Sequence, residues 1–129
     1  MSNKRRGGFS EAIFTAIAQY KHIHVASPVT PEKYDFVMRM DQKWFTVQVK
    51  SLTHDRGRRS ASVRRSGHKG YEIGDFDYLA IIDQKNLTSW LIPSHLVSGG
   101  VTVSPYLGKW DEYRWHTGHF DPSIPVKSR

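Results

Sequence analysis

Apolar side chains recur along this chain with two different periods. Between residues 10 and 21, Ile13, Ile17 and Tyr20 fall on one face of a 3.6-residue repeat, which predicts a helix over 10–21. Ser10 stands where a cap would, Glu11 suits the positive end of the helix dipole, and Phe9 and Phe14 occupy the positions of a hydrophobic staple. Residues 22–26 read as a short strand along which His22 and His24 alternate as structural side chains, and Pro28 and Pro31 then bound a loop.

The period changes to two over residues 34–40 and 43–50, both β-prone, around Asp41-Gln42. A two-residue turn there makes directly opposed residues sum to 83, so Phe36 faces Val47 and Met38 faces Phe45 on an apolar, core-seeking side. The other side opposes Asp35 to Gln48, Val37 to Thr46 and Arg39 to Trp44, and Lys50 points the same way.

Residues 51–75 are polar, glycine-rich and basic and read as a long loop with a short strand around 62–65. Near-continuous apolar runs at 76–83 and 88–93 predict a second strand pair buried on both sides. Ser94 is placed to cap a short helix through Val97. The tail is rich first in aromatics (Tyr106, Trp110, Tyr113, Trp115, Phe120), which packing or a subunit interface explains, and then in proline. His116 and His119 read as surface residues, because no acid or Cys completes a ligand set. The expected architecture is α/β, a central mixed sheet with the 10–21 helix against one face. At 129 residues the chain is the size of one domain, with a core at about 7–97 and an extension at 98–129.

Charge sharpens the picture. Nineteen Lys and Arg against twelve Asp and Glu give +7, which favours a polyanion as partner. Residues 50–69 carry seven basic side chains and one acidic, so nearly the whole excess follows directly on the second hairpin strand. There is no cysteine, which excludes disulfides and thiolate metal sites and suits a reducing compartment. The start lacks a signal-peptide pattern and no segment has the length of a membrane span, so the expected setting is soluble and cytoplasmic.

The polar hairpin face has the makings of a phosphodiester-hydrolysing centre. Magnesium takes hard oxygen ligands, and opposed Asp35 and Gln48 side chains start about 4.5–5.5 Å apart at Cβ. The Val49 carbonyl offers a third oxygen, and Glu11 a second carboxylate if its helix packs beside the hairpin. Lys50 can orient a water or offset charge on the phosphate.

An Asp at the start of one strand and Gln-Val-Lys ending the next resemble the PD-(D/E)xK nuclease core. Tyr34-Asp35 and Val47-Gln48-Val49-Lys50 are most similar to the group I intron-associated endonucleases of that superfamily. The likeness extends to Ser10-Glu11, Asp75-Phe76-Asp77-Tyr78 and Leu91-Ile92-Pro93, spanning about 7–97. It implies a restriction-endonuclease-like core, a sheet flanked by helices. It also implies Mg²⁺ (with Mn²⁺ able to substitute) held by Asp35 and Gln48, with Lys50 catalytic and Glu11 the accessory acid. The implied partner is DNA, cut by a homodimer or homotetramer at a defined, homing-type site. The start at residues 5–11 is also similar to archaeal-type Holliday junction resolvases, which gives a structure-selective alternative. Tyr34 replaces the usual Pro, and Gln48 the usual acid; the latter admits a catalytically inactive DNA-binding module. Arg56, Arg58, Arg59, Arg64, Arg65 and Lys69 are the expected DNA contacts, to phosphates more than bases, since a loop with glycine and serine gives reach rather than fixed position.

Overall fold

The computed structural model describes residues 2–63, 72, 74–99, 102–118 and 120. Among them the helix α1 (Asn3–Tyr20) is followed by β1 (Val25–Ala26), β2 (Phe36–Met40), β3 (Lys43–Ser51), β4 (Thr53–Asp55) and β5 (Arg58–Ser62). The chain continues with β6 (Tyr78–Asp83), β7 (Thr88–Pro93), β8 (Thr102–Val103) and β9 (Arg114–His116), with 3₁₀ turns at Ser94–Leu96 and Gly108–Tyr113.

The expected hairpin forms with the expected register. Asp41 (φ 50°) and Gln42 (φ 66°) both turn through the left-handed region, and Phe36 pairs with Val47, Met38 with Phe45 and Met40 with Lys43. Positive φ at both central residues gives the twist that two-residue hairpins need. Phe36, Met38, Val47 and Val49 are buried on one side, while Gln48 and Lys50 are half-buried on the other.

The main sheet runs β1-β2-β3-β6-β7-β9, and a smaller one runs β4-β5-β8. All the main-sheet pairings are antiparallel except β3–β6, which is parallel and makes the sheet mixed. Asp77 opens that join: its carboxylate accepts the Thr46 N–H at 2.8 Å, and its own N–H donates to Thr46 Oγ1 at 2.9 Å. α1 lays Ile13, Phe14, Ile17 and Ala18 over Phe36, Val47, Val49 and Ala80. The opposite face buries Leu79, Ile81, Trp90 and Ile92 beneath Ala61, Val63, Val103 and Trp110. Covered on both faces, β6 is buried at every residue but Tyr78.

Several elements differ from the sequence expectation. α1 starts at Asn3 rather than 10, capped by Ser2, whose Oγ accepts the Arg5 N–H at 3.2 Å. Ser10 is therefore a buried mid-helix residue, not a cap. Glu11 is remote from the dipole's positive end, and Phe9 is exposed rather than stapled to the buried Phe14. The first strand begins only at Val25, leaving His22 and His24 exposed. Residues 53–62 of the basic stretch after Ser51 form an ordered hairpin, not a loop; its second strand ends at Ser62, and residues 64 and 65 of the expected 62–65 strand lie outside the described residues. Ser94 is the first residue of its turn and caps nothing. His116 is buried, edge-on to Tyr20 and near Phe120, rather than at the surface; His119 lies outside the described residues. Of the two roles expected for the aromatic tail, packing is met: Trp110 is buried and Trp115 sits against Phe14.

Candidate active site

The β2–β3 ladder ends at Phe36, but β3 continues to Ser51. Past that end the backbone groups of β3 that face β2 have lost their strand partner. Asp35 replaces it. Its N–H donates to the Val47 carbonyl at 2.8 Å, and its Oδ2 accepts the Val49 N–H at 2.8 Å. Val47 and Val49 alternate in phase, so the N–H and C=O of Val49 both face this edge. The Val49 carbonyl is therefore directed towards the strand end where Asp35 sits.

Glu11 comes from α1. Burial, and after it repulsion from the Asp35 carboxylate, push Glu11 above the usual carboxylate range. Asp35 is also pushed up by burial, which the Val49 N–H and the Lys50 ammonium only partly offset. Lys50 is lowered by burial and partly restored by Asp35. The helix, strand end and β3 thus bring Glu11, Asp35 and Lys50 into one electrostatic unit, with half-buried Gln48 two residues before Lys50 on the same side of β3.

The donor chemistry here is oxygen only: two carboxylates, the Gln48 amide and the Val49 carbonyl. Such a set suits Mg²⁺ or Mn²⁺ and not a thiolate-seeking metal. Two partly buried carboxylates that repel each other are what a cation would relieve, so these residues fit a divalent ion. Among the described residues no three His, Cys, Asp or Glu side chains gather as a metal cluster, which leaves the amide and the carbonyl to complete any shell.

The position of α1 rests on a polar knot. Ser10 Oγ and Ser51 Oγ lie 2.7 Å apart, and Gln84 Nε2 donates to Ser10 Oγ at 2.9 Å and to the Arg6 carbonyl at 2.7 Å. Ser10 and Ser51 are the chain neighbours of Glu11 and Lys50, so the knot fixes the helix register beside the site. Sequence reasoning missed Ser51 and Gln84. The available signal was a polar residue beside each candidate site residue, too common to stand out.

Of the basic residues expected to meet DNA, Arg56, Arg58 and Arg59 are exposed on the β4–β5 hairpin that follows Lys50. The Arg59 guanidinium lies 3.8 Å over the Tyr106 ring. Arg64, Arg65 and Lys69 lie outside the described residues. Beneath the hairpin, fully buried Asp83 accepts from Tyr106 OH and from Asn86 Nδ2 (3.0 Å), with His54 Nε2 at 3.0 Å. Asp83 was not anticipated, because its partners are scattered through the sequence.

A family model described as PD-(D/E)XK endonuclease matches residues 1–114. The fold is similar to that of a bacterial homing endonuclease, I-Ssp6803I, with a TM-score of 0.74 and 18% identity, over 88% of this chain and 89% of that one. No curated protein matches the chain.

Proposed function

Because the chain belongs to the PD-(D/E)XK endonuclease family, we propose that it is a divalent-metal-dependent DNA endonuclease, one domain over 1–129, that cuts a defined site in the homing manner. The observation that carries this reading is the convergence of Glu11, Asp35 and Lys50 at the edge where β2 stops and β3 runs on. Asp35, Gln48, the Val49 carbonyl and Glu11 hold the cation. When bound, Mg²⁺ or Mn²⁺ supplies a Lewis acid for the phosphate and an acidified water.

The chain's own residues do the rest. The Val49 N–H fixes the Asp35 carboxylate through Oδ2. Lys50, partly desolvated, holds its proton less tightly than a surface lysine, so its amine can orient a water or take a proton from it. As an ammonium it offsets charge growing on the phosphate. Arg56, Arg58, Arg59, Arg64, Arg65 and Lys69 bring the polyanion to this edge. A homodimer would supply one such site per strand, and a homotetramer two. No described helix is long and apolar enough to cross a membrane, and we place the protein in the cytoplasm with its DNA.

The test is cleavage of supercoiled plasmid with Mg²⁺ by wild type, Asp35→Ala and Lys50→Ala. Wild-type cutting that both variants lose supports the reading; either variant cutting at near wild-type rate overturns the site. A four-way junction cut in preference to plasmid would favour the structure-selective alternative. Duplex retention without cleavage in Mg²⁺ or Mn²⁺ would favour the inactive module.

A further inference from the structure

The stretch from Leu52 to Val63 alternates as a two-stranded ribbon does. Leu52, Ala61 and Val63 are buried in the core and share their side with His54 and Arg59. Thr53, Asp55, Arg58 and Ser60 occupy the other side, where Thr53, Asp55 and Arg58 are exposed. The inward side is pinned twice, by His54 on buried Asp83 and by Arg59 on the Tyr106 ring, whose hydroxyl bonds the same Asp83. Thr53 Oγ1 donates across the ribbon to the Ser60 carbonyl at 3.0 Å. The tip closes in two residues, Arg56 (φ 50°) and Gly57 (φ 80°), with no slack.

This geometry removes the reason for expecting contacts to phosphates more than to bases, which was the reach of a loop. It also sets Asp55 directly opposite Arg58. On a surface that only tracked phosphates, that carboxylate would repel the backbone and cancel part of the charge of Arg58. In the major groove both side chains have partners: a carboxylate accepts from the cytosine amine, and a guanidinium pairs bidentately with guanine. The major groove also admits a two-stranded β-ribbon.

Resting on the reading of the chain as a DNA endonuclease, we propose that the β4–β5 ribbon enters the major groove of duplex DNA and reads base edges through Asp55 and Arg58. Arg56 at the tip then meets phosphate, and Arg59, stacked on Tyr106, holds the ribbon in place and adds positive charge without reaching base edges.

The experiment is selection of a randomised duplex pool by the full chain in EDTA, with the retained sequences read for wild type, Arg58→Ala, Arg58→Lys, Asp55→Asn and Arg56→Ala. These side chains are exposed, so the fold is expected to survive, and circular dichroism checks it. Arg58→Ala and Asp55→Asn should each relax the preference at one or two base pairs by roughly ten- to a hundredfold. Arg58→Lys should recover affinity without that preference, a point charge lacking the bidentate fork. Arg56→Ala should weaken all sequences alike and flatten the log–log salt slope by about 0.9. Uniform weakening by Arg58→Ala and Asp55→Asn, or an unaltered motif in both, overturns the proposal. If the wild type still cuts plasmid, the endonuclease reading survives that failure. Wild-type protein that neither retains duplex nor cuts it removes both.

Discussion

Asp35 and Val49 meet through a carboxylate–amide hydrogen bond of 2.8 Å, formed where β2 has ended and β3 has not. The bond stands in for the missing strand partner, and it holds an acid in a place where burial disfavours its charge.

Asp35→Asn is therefore expected to raise the melting temperature of the metal-free protein at pH 7 while abolishing cleavage. The amide keeps an oxygen for the Val49 N–H and sheds the buried charge. Because the folded pKa of Asp35 is raised, wild-type stability is lost as pH climbs from the unfolded value, about 3.9, through the folded one. The gap between variant and wild type should thus close near pH 3. Melts in EDTA across pH check this, and a variant that melts lower at pH 7 would rule out burial as the dominant cause.

Divalent metal should stabilise as well, by relieving the repulsion between Glu11 and Asp35. At a hundred times Kd, Mn²⁺ is expected to stabilise the wild type by about 2.7 kcal/mol. Glu11→Gln and Asp35→Asn should lose most of that gain. Gln48→Glu should bind Mn²⁺ more tightly and Gln48→Ala more weakly. Calorimetric titration decides it, and affinity unchanged from wild type in both Gln48 variants would take the amide out of the shell.

Asp83 titrates in the other direction. Burial pushes it up, but the bonds from Tyr106, His54 and the Lys85 N–H outweigh burial and hold it below the usual carboxylate range. Its contribution is present above the unfolded value and is lost as pH falls through the folded one. Asp83→Ala should cost about 1–3 kcal/mol in denaturant unfolding, since it removes the one buried acceptor that Tyr106, His54 and Asn86 share. Asp83→Asn should flatten the acid limb of stability below about pH 4. An acid limb identical to wild type would mean that this network carries no linkage.

Gly7 and Gly8 lie inside α1, and a Cβ at either would meet nothing within 4 Å. Alanine at each is expected to add about 0.5–1 kcal/mol, the usual helix-interior difference. Unchanged or lowered stability in thermal melts would show that the glycines serve a purpose that the isolated chain does not reveal.

Those glycines also explain what the sequence concealed. Gly7 and Gly8 are poor helix formers and weaken the helical signal ahead of Ser10, whereas Gln84 and Ser51 bind the Arg6 carbonyl and anchor that turn from outside. The β2–β3 hairpin was legible because its period and its turn agree, and with it the shared face of Gln48 and Lys50. The approach of Glu11 to Asp35 followed only as a condition on helix packing. The β4–β5 ribbon was not legible, since Thr53-His54-Asp55 and Arg58-Arg59-Ser60 show no apolar alternation at its tip. Its fixation comes from Asp83 and Tyr106, distant in the chain.

Because β3 and β6 run parallel, no tight turn can join them. The β2–β3 and β6–β7 hairpins each assemble from neighbouring residues, but their union must first close the intervening segment, an entropic cost met before any contact returns it. α1 rests on both hairpins at once, on Val47 and Val49 of one and on Ala80 and Ile82 of the other. The helix can seat fully only after they have joined. Gln48 and Lys50 are therefore expected to share a face early in folding, and Glu11 to reach Asp35 only after the two hairpins have joined. A newly made chain would stay incomplete at this edge until β3 and β6 have paired.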